Sequence, residues 1–407
     1  LKNEDYVFYF DECYQDRKIL IKDTTFNSMS DNSFDSYIGL FWGCKQKELH
    51  RIIPLINDFE QKHKSIFCLS NEQELKSDII KKKNYKYGLK SFNKNATDFY
   101  SDLFMILEHI NPIIQIDAIS KVEYFLKVLF HDIDLEVIAL NRNAFIYSLT
   151  KLILNYKDPI LLNSIKSIHD SFTAEEFRLK LLSFISIKLE EIRGIERKES
   201  EENTLKEFII IIQNVSFGNM KYEALQYPYY FNFVGLNNLL YELSISINRV
   251  KIIIDEEINT YNSSKVFNYK KVKQANSENS IQIRLCDWLC GFVGRFIYAL
   301  SNDISAKESN GESIDKKRLL SKDWFEIDKK TFDFYLRLYD FFLVKHEYHW
   351  TIMTLHFADP IVEFCTLLRY FASYESFEQY LSTDVHLHQE LYNTACINEL
   401  ESRHKAQ

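Results

Sequence analysis

The chain has 407 residues, with 50 Lys and Arg against 58 Asp and Glu for a formal net charge of −8; 46% of residues are hydrophobic and 27% charged. That length admits one large domain or two to three smaller ones, and the acidic balance argues against a general nucleic-acid coat while leaving room for a local basic groove. Nine Gly and five Pro are few, so turns should be sparse and helix should dominate. Seven scattered cysteines, an opening LKNEDYVFYF unlike a secretory leader, and no apolar run of about 18 residues predict a reduced, cytoplasmic protein with no membrane span.

In chain order, YVFYF (6–10) predicts a buried first strand, because its residues do not alternate with polar ones. KILIKDTT (18–25) alternates and predicts a second strand, and SYIGLFWG (36–43) a third. Apolar residues Leu49, Ile52, Ile53, Ile56 and Phe59 predict an amphipathic helix over 45–63, bent near Pro54. Helical periodicity returns over 95–110, and NPIIQIDAISK (111–121) predicts a fourth strand. Residues 122–247 read as mostly helical. RVKIIIDEE (249–257) repeats the opening pattern of an apolar run ending on acids. After a polar stretch (258–280), IQIRLCDWLCGFVGRFIYAL (281–300) predicts an apolar helix carrying one acid. Residues 301–320 predict a linker, followed by aromatic-rich helices over 323–402.

Three strand-like runs carry or end on an aspartate: Asp11, Asp117 and Asp255. Carboxyl ends of neighbouring parallel strands share one side of a sheet, so acids there can converge. Asp287, alone among Leu285, Cys286, Trp288 and Leu289, can lean over the same edge. Converging carboxylates offer hard oxygen ligands to Mg²⁺ or Mn²⁺. The plainer readings are strand-end caps for Asp11 and Asp255, and a salt bridge from Asp287 to Arg284 or Arg295. Glu12 falls on the opposite strand face and is the weaker ligand, as is Asp117, whose direction depends on register. Lys81, Lys82, Lys83 and Lys86, interleaved with Tyr85 and Tyr87, read either as a nucleic-acid-binding edge or as a solvated face. Cys286 and Cys290, and the histidines of KHEYHW (345–350) and HLH (386–388), lack metal-site spacing and read as packing or surface residues.

The order of elements is close to the ribonuclease H-like arrangement. FYFDEC (8–13), ELKS (74–77), IIIDEE (252–257) and IQIRLCDWLCGFVGR (281–295) together resemble the bacterial "domain of unknown function 3800" family. The resemblance implies an α/β, ribonuclease H-like mixed sheet: three antiparallel strands, then parallel strands, with a helical insertion and a C-terminal helical extension. The core would be residues 1–125 and 235–300, the insertion 126–234 and the C-terminal region 315–407. It implies a metal-dependent nuclease acting on RNA or DNA, in a family often found among mobile-element and phage-defence genes. By position, Asp11, Glu74, Asp255 and Asp287 match the family's acidic residues and Lys76 its motif lysine. Without the resemblance, Glu74 and Lys76 read as an exposed ion pair. The rival expectation is a ribonuclease H-like module that no longer cleaves and acts through a protein partner or as a homodimer. Cys13 and Tyr14, standing where Ser-Gly is usual in the family, favour it.

Overall fold

The computed structural model describes residues 4–13, 35–130, 142–156, 158–166, 168, 171–215, 229–305, 319–345 and 359–405. Its centre is a five-stranded mixed sheet of β1 (Tyr6–Cys13), β2 (Ser36–Lys45), β3 (Ile113–Ser120), β4 (Val250–Ile254) and β5 (Lys271–Gln274), in the order β3-β2-β1-β4-β5. β2 runs antiparallel to both β1 and β3, whereas β1, β4 and β5 run parallel. The expected strand at 18–25 lies outside the described residues. β1 and β2 pair directly, so the three antiparallel strands here are β1, β2 and the segment expected as fourth, β3.

β1 is the middle strand, and both of its faces are covered, which is why YVFYF does not alternate. Val7 and Tyr9 point to one face, into a large core with α1 (Leu49–Ile66), α2 (Lys94–Ile110) and α10 (Ile281–Ser305). Tyr6, Phe8 and Phe10 point to the other face, against α8 (Phe231–Glu242). Tyr9 stacks on Trp42 of β2 at 4.9 Å between ring centroids, and Phe10 meets Phe41 at 4.5 Å. Helix α1 runs through Pro54 as one element. Asn111 ends α2 in the left-handed conformation, its amide bonded to Leu107 O at 2.8 Å, and Pro112 then turns the chain into β3.

The insertion builds an apolar cluster of its own, from Val122 to Ile212. It comprises α3 (Lys121–Leu129), α4 (Arg142–Tyr156), α5 (Pro159–Lys166), α6 (Ser171–Ile192) and α7 (Glu199–Gln213). α9 (Ile258–Ser264) and β5 interrupt the stretch read as polar, 258–280. β5 is short, KVKQ, and three of its four residues are polar, so it gives no periodic signal.

The C-terminal helices α11 (Lys329–Tyr339), α12 (Asp359–Ala372), α13 (Phe377–Leu381) and α14 (Val385–Lys405) bury Phe332, Tyr335, Phe364 and Phe371 in the same core as α10. The aromatic-rich segment therefore continues the main core. His388 is buried there, bonded to the Tyr370 hydroxyl at 2.6 Å and stacked on Tyr380. His346 and His349 lie outside the described residues. Among the described residues, no helix is long and apolar enough to cross a membrane.

Candidate functional site

Strand parity places the first acid. Asp11 follows Val7 and Tyr9, so it belongs to the α10 face of the sheet. Tyr9 is in register with Ile253 of β4, and the Asp255 amide donates to Phe10 O at 3.3 Å, extending the parallel ladder one step past β4. Asp11 and Asp255 thus stand side by side at the carboxyl ends of adjacent parallel strands. β4 itself stops at Ile254, one residue before the first of the acids on which its apolar run ends. Its following acids separate: Asp255 Oδ1 accepts from the Glu256 amide at 2.9 Å, while Glu257 caps α9 through Thr260 N.

α10 crosses β1 closely because Cys286 and Cys290 are small and buried. Their thiols face β2 carbonyls, Sγ of Cys286 to Leu40 O at 3.0 Å and Sγ of Cys290 to Ile38 O at 3.6 Å. This crossing brings Asp287 over the same edge. Ser77 holds it with two donors, its amide to Oδ2 and its hydroxyl to Oδ1, each at 2.7 Å. Arg295 in turn donates to Ser77 O at 2.7 Å and to Ser77 Oγ at 3.1 Å, and the Trp288 indole donates to Leu75 O at 2.6 Å. Gly291 makes room for the loop: a Cβ there would lie 2.4 Å from Ser77 Oγ. The ELKS segment is therefore pinned to α10. Glu74 and Lys76 project beside it and pair at 3.3 Å. Sequence reasoning missed Ser77, Gly291 and Arg295 as a clamp. Their signal was adjacency to Glu74 and Asp287, which spacing alone does not interpret. Arg284, one of the two expected salt-bridge partners of Asp287, pairs instead with Glu60 at 2.7 Å.

The electrostatics follow from this crowding. Burial pushes the Asp11 carboxyl well above its usual range, and the charges of Asp287, Glu12 and Asp255 push the same way; the Glu12 amide is a weaker counterweight at 2.8 Å. Burial also raises Asp287, against the bonds from Ser77 and the charge of Arg295, and Glu74 adds to the rise. Lys76 is held above its usual value by Glu74 first, and by Asp287 and Asp255 as well. Asp11, Glu74, Lys76, Asp255 and Asp287 are thus electrostatic neighbours. As to a cation, hard carboxylate oxygens crowded with like charge have the right chemistry for Mg²⁺ or Mn²⁺. Among the described residues, however, no three acidic, His or Cys side chains stand close enough together to hold a metal ion. The acids are gathered but do not form a closed chelate.

Two weaker candidates lie elsewhere. Glu12 points to the α8 face and accepts from the Tyr37 hydroxyl at 2.9 Å, which in turn accepts from Asn232 at 2.8 Å. Asp117 also points to the α8 face, two strands away, fully buried beneath Gly235. Gln115 donates to its Oδ1 at 3.2 Å, Oδ2 has no hydrogen-bond partner among the described residues, and burial pushes the carboxyl well up. It cannot share a cation with Asp11 across the sheet.

The lysine edge is also changed. Tyr85 is fully buried and bonded to the Tyr100 hydroxyl, so it offers no face to a base. Lys82 sits over the Tyr298 ring at 4.5 Å and Lys86 over Tyr87 at 4.8 Å. Lys81 lies 3.8 Å from Asp78, and Lys83 is exposed. Comparison of the chain with protein-family models, with curated proteins and with solved structures finds no match.

Proposed function

We propose that the chain is a metal-dependent nuclease on a ribonuclease H-like core, hydrolysing phosphodiester bonds of RNA or DNA. One observation carries the reading: Asp11, Asp255 and Asp287, with Glu74, are electrostatic neighbours at the carboxyl edge of β1 and β4. The sheet supports it, since antiparallel β1, β2 and β3 followed by parallel β4 and β5 agree with the arrangement that the family resemblance implies. A Mg²⁺ or Mn²⁺ ion held by Asp11, Asp255, Asp287 and Glu74 would supply water activation and charge neutralisation at a phosphate. The chain's own part is positional. Ser77 fixes both oxygens of Asp287, and Lys76 places an ammonium, 60% exposed, where a substrate phosphate can meet it. A defence role follows from the resemblance alone.

A non-cleaving module that acts through a partner is the second reading. It is favoured by the absence of a closed ligand set among the described residues and by the use of both Asp287 oxygens to anchor Ser77. Calorimetric titration of Mn²⁺ into the wild type and Asp11→Asn, with cleavage of labelled single- and double-stranded RNA and DNA on the same samples, separates the two. Binding and cleavage that vanish together in the variant support the nuclease. A wild type that binds no Mn²⁺ and cuts nothing overturns it.

A further inference from the structure

β5 is the sheet edge beside β4 among the described residues, and it carries Lys271 and Lys273. Register fixes where they point. Val272 packs toward the α8 face with Ile252 and Ile254, so Lys271 and Lys273 belong to the opposite face. Lys273 is in register with Ile253, and Ile253 with Tyr9. One row further along the same face stand Asp11 and Asp255, with Ala275 completing the row through its amide bond to Ile254 O at 2.9 Å. Lys273 is therefore one strand over and two residues back from Asp255, about 8 Å between backbone positions, and Lys271 continues the line about 6.7 Å further out. Both side chains are exposed, and no hydrogen bond or ion pair engages either ammonium among the described residues. The adjacent lysines differ: Lys270 is paired to Asp5 at 2.5 Å, and Lys251 is tied to Gln46 at 2.6 Å. In a chain of net charge −8, two unengaged cations aligned on an acid cluster make a local field opposite to the global one.

We infer that Lys271 and Lys273 form a phosphate track that guides the backbone of one nucleic-acid strand along β5 into the acidic edge. The inference rests on the nuclease reading for its destination. It also moves the binding surface away from the 81–86 segment, where Lys82 and Lys86 are occupied by tyrosine rings. The competing use of edge lysines is to block edge-to-edge pairing with another copy.

The test is fluorescence anisotropy with 5′-labelled 20-nucleotide single-stranded RNA and DNA over a salt series. The proteins are wild type, the double variant Lys271→Ala/Lys273→Ala, and Lys81→Ala/Lys83→Ala, each also assayed for Mn²⁺-dependent cleavage and for mass in solution. The double variant at β5 should bind about tenfold more weakly at low salt, with a log–log salt slope shallower by about 1.4, which is about 0.7 per lost phosphate contact on a single strand. Lys81→Ala/Lys83→Ala should bind close to wild type. Unchanged binding by the β5 variant overturns the track, and self-association of that variant without a binding change assigns the lysines to edge protection. Wild type that binds, loses affinity in the β5 variant, but never cleaves keeps the track and overturns the nuclease. Wild type that binds neither strand overturns both.

Discussion

Asp11 and Asp287 ionise at higher pH in the folded protein than in the unfolded chain, because burial and neighbouring acids oppose their charge. Their stabilisation is complete below about pH 4 and is given up as pH rises through the folded values. In chelator, the thermal midpoint should therefore fall from pH 5 to pH 8. Asp11→Asn should flatten that slope, and added Mn²⁺ should restore the wild type at pH 8. A midpoint indifferent to pH and to Mn²⁺ would count against crowded acids at this edge. Asp117 behaves differently, since it lies on the opposite face of the sheet, where burial drives its carboxyl up against the single bond from Gln115. Asp117→Asn should cost little at pH 7, whereas Gly235→Ala puts a Cβ 2.3 Å from Asp117 Oδ1 and should cost about 1–3 kcal/mol in denaturant unfolding. Asp11 was legible from sequence because its strand is buried on both faces and then turns acidic. The isolation of Asp117 was not, because an acid's face depends on which residues of the neighbouring strands pair with it.

The strands and helices that carry apolar runs were legible: β1, β2, β3, β4, α2 and α10 all fall close to their expected spans. β5 was hidden by its polar composition and α9 by its brevity. The ELKS segment shows the same limit. Its residues were readable as an acid and a base, but its docking on α10 depends on Gly291, more than 200 residues later. Gly291→Ala should push that segment off the helix, costing about 1–3 kcal/mol by overpacking. Ser77→Ala is the gentler probe. It removes one of two donors to Asp287, leaves the amide bond, and should cost about 1 kcal/mol. If Ser77 positions Asp287, the alanine variant should weaken Mn²⁺ affinity while Thr at the same position restores it. Equal Mn²⁺ affinity in all three would confine Ser77 to holding the loop.

The whole molecule is tied together where the insertion meets the C-terminal helices. Lys151 of α4 reaches Asp359 of α12 at 2.9 Å, and the Tyr147 hydroxyl donates to the same carboxylate at 2.9 Å. Burial opposes the Lys151 charge, but Asp359 and Tyr147 outweigh it and hold the ammonium above its usual value. Glu363, one turn along α12, is pushed up to about 8 by burial and by Asp359. Lys151→Met leaves Asp359 buried without its counter-charge. Because the lysine is 42% exposed, the expected loss is about 1–3 kcal/mol, below the range for fully buried pairs. Limited proteolysis should then release α4–α7 faster than the sheet. A second consequence concerns synthesis. β1 pairs with β4 across a separation of 244 residues from Phe10 to Ile254. At roughly 5–20 residues per second, the ribosome needs about 12–50 s to supply that partner. For that interval YVFYF has one flank without its strand, and the acids from β1 and α10 are in different places, one released and one unmade. The acid cluster thus cannot assemble until α10 emerges, and in the meantime the nascent chain carries an aggregation-prone apolar strand for chaperones to shield.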